Sequence, residues 1–285
     1  MADEDLELRE EVDRRLLTRR EVVVRGGGAA GALGFAWLLA ACGGGGGGGA
    51  APSGGGGGEV DTMTWAINGE AVAMDYALAY DFNTNVAVAN IAEPLLRFDP
   101  HGRLQPNLAT AWDVVDPLTM TVKLRSGVKF HDGTKMTAED VAFSLDRHRD
   151  PKVGSYLATF HERVSSVLAS GPLEVTIKFS KPDAIFPYAL ATMAGAVASK
   201  AFMEANGKKV GTPGVGIVGT GPYKFGSWTK GQEIVLDRFD GYWNKERALK
   251  VKRFVVKIIL DEATIVQALN TGEVDGVFGT ALSGK

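Results

Sequence analysis

The chain has 285 residues, 45% of them hydrophobic and 23% charged, which is enough apolar material for a substantial buried core and excludes a wholly disordered chain. Its formal net charge is −3, with acidic and basic side chains interspersed, so no long-range field gathers phosphate backbones and nucleic acid is not an expected partner. The single cysteine excludes an intramolecular disulfide, a cysteine-rich metal site and a dithiol redox pair.

From the N-terminus, an acidic preface gives way to Arg14, Arg15, Arg19, Arg20 and Arg25, and then to a mild apolar stretch, 26–41. That stretch ends in Leu39-Ala40-Ala41-Cys42. Basic, apolar, small and then cysteine is the order of an export signal rather than of a folded element. The run Thr18-Arg19-Arg20-Glu21-Val22-Val23-Val24 resembles a twin-arginine signal, with Arg19 and Arg20 as its pair. Leu39 to Cys42 resembles a lipobox, in which the Cys42 thiol is acylated and becomes the first mature residue. The apolar stretch is too short and too rich in glycine to span hydrocarbon comfortably. Residues 1–41 are therefore expected to be a signal peptide, and the mature chain to be held by lipid on the extracytoplasmic or periplasmic face of the cell membrane. Residues 42–58 follow as the lipidated cysteine and a glycine-rich tether, with a random-coil reach of roughly 20 to 24 Å.

The body begins at Glu59. Met120, Val122 and Leu124 alternate with Thr119, Thr121 and Lys123, and Val175, Ile177 and Phe179 alternate with Glu174, Thr176 and Lys178; both runs predict half-buried strands. Thr137-Ala138-Glu139-Asp140 predicts a helix start, with Val141 and Leu145 on one face and Pro151 soon after its end. The apolar run from Phe254 to Leu260 predicts a buried strand, and a helix is expected from Asp261 to Asn270, closed by Gly272. A further strand follows at Val277, so 254–278 reads as a parallel strand–helix–strand crossover in an α/β fold.

The chemistry-bearing motifs are sparse. Gly214-Val215-Gly216-Ile217-Val218-Gly219 has the glycine spacing of a dinucleotide loop but lacks a strand before it and a helix after it, so the glycines are expected to shape a long loop. The four histidines have no close metal-ligand spacing, and His131, beside Asp132-Gly133, is expected in a turn. No nucleophile elbow or Walker lysine loop occurs. No cofactor, no metal and no enzyme activity are expected.

Several segments in order carry a resemblance. Pro106-Asn107-Leu108-Ala109-Thr110-Ala111-Trp112 is followed by 124–133, LRSGVKFHDG, and 136–145, MTAEDVAFSL. Gly219-Thr220-Gly221-Pro222-Tyr223, Tyr242-Trp243 and Gly272-Glu273-Val274-Asp275 follow. Their joint order resembles the family 5 bacterial extracellular solute-binding proteins, the dipeptide, oligopeptide and nickel class. The resemblance implies a periplasmic-binding-protein-like class II fold. It is expected to be C-terminally truncated at Lys285, because relatives continue through a further ligand-gripping lobe. Residues 59–85 and 183–285 are expected to form an incomplete large lobe, and 86–182 a smaller inserted lobe.

By the same resemblance, Tyr156, Tyr80 and Asn85 fall at ligand-facing positions, and Asn68 and Gly69 offer backbone partners after the first strand. Thr192 stands where nickel-type relatives carry a carboxylate-clamping arginine, which argues against a nickel chelate. The implied role is capture of a peptide or similar small solute for an ABC importer, with permease subunits as partners and a monomeric chain. A ligand-presenting sensor lipoprotein and an envelope hydrolase are the alternatives.

Overall fold

β1 (Val60–Ile67) opens the computed structural model, which describes residues 59–247 and 249–278. The expected signal segment with Arg19 and Arg20, the lipidation site Cys42 and the glycine tether lie outside the described residues.

In chain order the main elements are α1 (Phe82–Ile91), β2 (Ala109–Asp116), β3 (Thr119–Leu124), α2 (Ala138–Asp146), β4 (Val164–Gly171) and β5 (Glu174–Phe179). They continue with β6 (Tyr223–Thr229), β7 (Glu233–Arg238), β8 (Val251–Ile258), α3 (Glu262–Thr271) and β9 (Gly276–Val277).

Two sheets organise these elements. The first is antiparallel, in the order β2-β3-β5-β4. The alternating residues foreseen from the sequence meet across it, Met120 opposite Ile177 and Val122 opposite Val175, all four buried. Burying each such side chain contributes about 1.5–3 kcal/mol, so this face holds the sheet in one register. Helix α2 seals the face with Val141 and Leu145. Its start is set by Asp140, whose carboxylate accepts from both the Thr137 backbone N–H and the Thr137 hydroxyl, at 2.9 and 2.7 Å.

The second sheet is mixed, in the order β6-β7-β8-β1-β9. β1 lies parallel to β8 on one side and to β9 on the other, so the β8–α3–β9 crossover passes over it. Asp261 caps α3 by accepting from the Thr264 N–H, and Gly272 ends it at φ 74°, a left-handed conformation that glycine adopts without steric cost. The expected strand Phe254 to Leu260 stops at Ile258, and Leu260 is 74% exposed. The reason is local: Asp261 turns the chain into α3, so Leu260 sits on the bend rather than in the sheet.

Each sheet has its own hydrophobic core. One gathers residues between Leu95 and Val197, and the other residues from Ile67 to Ile258, including the buried face of α1. Helix α1 thus packs in the second core, although it crosses residue 86, while Phe186, Leu190 and Ala194 pack in the first. The Gly214–Gly219 segment leads through Pro222 into β6, a strand rather than a helix, as expected for a loop. No helix among the described residues is long and apolar enough to cross a membrane.

Candidate functional site

Tyr80 and Tyr156 are separated by most of the first core in sequence, yet their rings meet edge-to-face with centroids 6.4 Å apart. They are 73% and 56% exposed, an unusual state for paired aromatics, which gain most from being buried.

Their positions are set by a buried polar base. Asp75, 4% exposed, accepts from both Nη groups of Arg147 at 2.9 and 2.8 Å. The same guanidinium lies 5.1 Å over the ring of Tyr76, whose hydroxyl donates to the Ser144 carbonyl. Burial pushes the Tyr76 phenol up to about 12, so it remains a neutral donor. Asp75 also accepts from the Ala77 N–H, and the Ala77 carbonyl accepts from the Tyr156 N–H and the Ser155 hydroxyl, both at 3.1 Å. Ser155 in turn meets His148 Nδ1 at 2.7 Å, and His148 stacks on His161 at 4.6 Å. Burial holds both imidazoles well below the usual histidine range, to about 3 for His148 and about 4 for His161. The Tyr156 loop is thus bonded to the segment before Tyr80 through a chain of buried groups, in which His148 Nε2 and His161 Nδ1 have no hydrogen-bond partner among the described residues.

The remaining sequence-predicted residues divide. Asn85 belongs to this neighbourhood but faces its own chain: its amide donates to the carbonyls of Ala79 and Asp81, at 2.7 and 3.0 Å, and pins the loop bearing Tyr80. Asp81 caps α1 through the Thr84 N–H, and Asp81 Oδ2 and Asn83 Oδ1 are buried acceptors with no partner among the described residues. Gly69 lies against that helix start, where a Cβ would displace the Asn83 side-chain amide. Asn68, next to it, is exposed. Thr192 is half-buried and occupied by backbone, donating to the Ala189 carbonyl and accepting from the Ala194 N–H.

The motif residues assemble elsewhere, around Glu93. This buried carboxylate accepts from the Thr220 hydroxyl at 2.9 Å, the Tyr242 hydroxyl at 2.7 Å and the Trp243 indole N–H at 2.8 Å. Desolvation raises its pKa against the opposing pull of these donors. Gly219 and Gly221 press onto the end of α1, where a Cβ would collide with the Ile91 and Asn90 carbonyls. His131 clasps the same loop. Its Nδ1 accepts from the Gly219 N–H at 3.3 Å, so Nε2 carries the proton and donates to the Gly221 carbonyl at 3.0 Å. Burial lowers His131 to about 4, so the clasp is a neutral imidazole. His131 lies in a turn, as expected, and from there is bound into a structural junction.

Asp75, Tyr76, Arg147 and His148 escaped sequence reasoning. Their partners lie 72 residues apart for Asp75 and Arg147, and no local pattern signals such a pairing. The one hydroxyl–imidazole contact described at the site, Ser155 Oγ to His148 Nδ1, has its hydroxyl bonded to the Ala77 carbonyl, and no group of three or more metal-ligating side chains occurs among the described residues.

Residues 103–284 match the family model of the bacterial extracellular solute-binding proteins, family 5. The glutathione-binding protein GsiB of Escherichia coli O1:K1 is 31% identical over 214 residues, covering 75% of this chain and 41% of its own. The ABC transporter-associated periplasmic binding protein DppA of Helicobacter pylori, solved with the peptide STSA, is 27% identical with a TM-score of 0.69, covering 78% of this chain and 47% of its own. NikZ of Campylobacter jejuni, solved with Ni(L-His), is 29% identical with a TM-score of 0.67, covering 76% of this chain and 43% of its own. The chain spans less than half the length of each of these relatives. The mixed α/β architecture is that of the class II periplasmic binding proteins, incomplete by this measure.

Proposed function

The chain belongs to the family 5 bacterial extracellular solute-binding proteins, and from that premise we propose that it captures short peptides or similar small solutes for an ABC importer. The observation that carries the reading is the exposed Tyr80–Tyr156 pair on its buried Asp75–Arg147 base. Rigid aromatics left uncovered lose little conformational entropy on binding and offer a face to a solute.

A peptide is favoured over a nickel chelate because Thr192 is a short hydroxyl tied to its own backbone and offers no positive charge. The division into lobes at 59–85 with 183–285, and 86–182, stays part of this proposal, with residues 86–92 and 186–197 packing across its boundaries. The leader supports export and anchoring through lipid on Cys42, with the permease subunits as partners of a monomeric chain. The role is binding without turnover.

Thermal unfolding of the chain against glutathione, short peptides, nickel–histidine and sugars tests the proposal. A ligand at one hundred times its Kd adds about 2.7 kcal/mol to stability. Stabilisation by a peptide that is abolished by Tyr156→Ala is expected; stabilisation by sugars alone contradicts it.

A further inference from the structure

A second cleft, of about 1200 Å³, shares no lining residue with the tyrosine face. Its lining includes four cations, Arg97, Arg125, Lys129 and Lys245, against the single carboxylate Glu246. The two arginines are moored in the same way. Arg97 Nε donates to the Pro106 carbonyl at 3.2 Å, and Arg125 Nε donates to the carbonyl of the next residue, Asn107, at 3.0 Å. Each guanidinium therefore uses its Nε on backbone and keeps its Nη groups, which have no hydrogen-bond or ion-pair partner among the described residues.

Arg125 is fixed further by lying 4.5 Å over the Trp243 ring, and that indole is itself held by its N–H bond to Glu93. Asp99, the acidic residue that senses Arg97, is bonded instead to Arg103 at 2.8 Å. Two oriented guanidiniums with unused donors and two lysines nearby repel one another unless a counter-charge enters. A guanidinium fork matches the paired oxygens of an oxyanion.

We infer that this cleft binds a small, multiply charged oxyanion of the phosphate or polycarboxylate class, gripped by the Nη groups of Arg97 and Arg125. The inference is independent of the peptide reading, because no residue is common to the two sites.

Isothermal titration of the whole chain with inorganic phosphate and with citrate at low ionic strength tests it. Saturable one-site binding to either anion is expected. Arg97→Gln and Arg125→Gln should each weaken it roughly tenfold or more, the loss typical of a charge-assisted hydrogen bond. Arg97→Lys should weaken it comparably, since an ammonium keeps the charge but not the moored fork. Lys123→Gln, an exposed cation outside the cleft, and Tyr156→Ala should leave it unchanged. Arg97 has no cation–π contact among the described residues, and an unchanged circular dichroism spectrum checks that its variants keep the fold. No saturable binding, wild-type affinity in Arg97→Lys, or an equal loss in Lys123→Gln, the mark of diffuse charge, overturns the inference.

Discussion

The tyrosine face and the Glu93 junction use the same kinds of residues to opposite ends. At Glu93, three neutral donors converge on one buried carboxylate, and two of them, Tyr242 and Trp243, turn their rings inward with it. At the tyrosine face the polar groups are again buried and paired, through Asp75 and Arg147, but the aromatics they support point outward. A closed polar cluster stabilises; an open aromatic pair on a buried polar base is what we propose to bind. Exposure, and not residue type, separates scaffold from site.

The contrast can be broken most severely at the base of the open face. Asp75→Ala leaves the Arg147 charge buried without its carboxylate, and should cost about 3–5 kcal/mol in urea unfolding while abolishing peptide binding. A loss of stability with peptide affinity retained would show that the base does not position the tyrosines.

Acid comes next, and it acts on both regions. His131, His148 and His161 are held at about 4, about 3 and about 4, below the ordinary value of about 6.5. The unfolded chain therefore takes up protons first as pH falls below about 6.5. The stability these groups contribute is full above that pH and declines down to about pH 4, by up to about 3 kcal/mol for each histidine. Glu93 runs the other way, because a raised carboxyl binds its proton in the folded state first. Unfolding free energies measured from pH 7.5 to 4 should fall, and His148→Phe should flatten the slope; a pH-independent curve contradicts the burial argument.

At the closed junction, Glu93→Gln exchanges an acceptor for an amide that cannot serve all three donors. It should cost about 1–3 kcal/mol and leave solute affinity unchanged. Tyr80→Ala and Tyr156→Ala should be the mildest for the fold, each within about 0.5 kcal/mol, because exposed side chains contribute little to it. Their effect should appear in solute affinity, read by thermal shift. Destabilisation beyond about 1 kcal/mol would mean that the two rings are packing elements.

Much of the fold was legible because its signals are local. The alternation at 120–124 and 175–179, the Asp140 cap and the Asp261–Gly272 helix each depend on neighbours within a few residues. Leu260 was misplaced by its hydropathy, since a bend set by Asp261 outweighs it. Tyr80 and Tyr156 were reached through family resemblance and are brought together by the fold, whereas Asn85 and Thr192 turn out to spend their polar atoms on nearby backbone. Asp75, Arg147 and Glu93 left no trace in the sequence, because a buried charge is defined by partners from distant segments.

The most direct measurement is a two-dimensional amide NMR titration of the chain with a short peptide. Shift changes concentrated at Asn68, Tyr80, Asn85 and Tyr156, with Arg97, Arg125 and Trp243 unmoved, are predicted. Changes confined to the Arg97–Trp243 cleft, or none at saturating peptide, would contradict the claim that the exposed tyrosine face is where solute is captured.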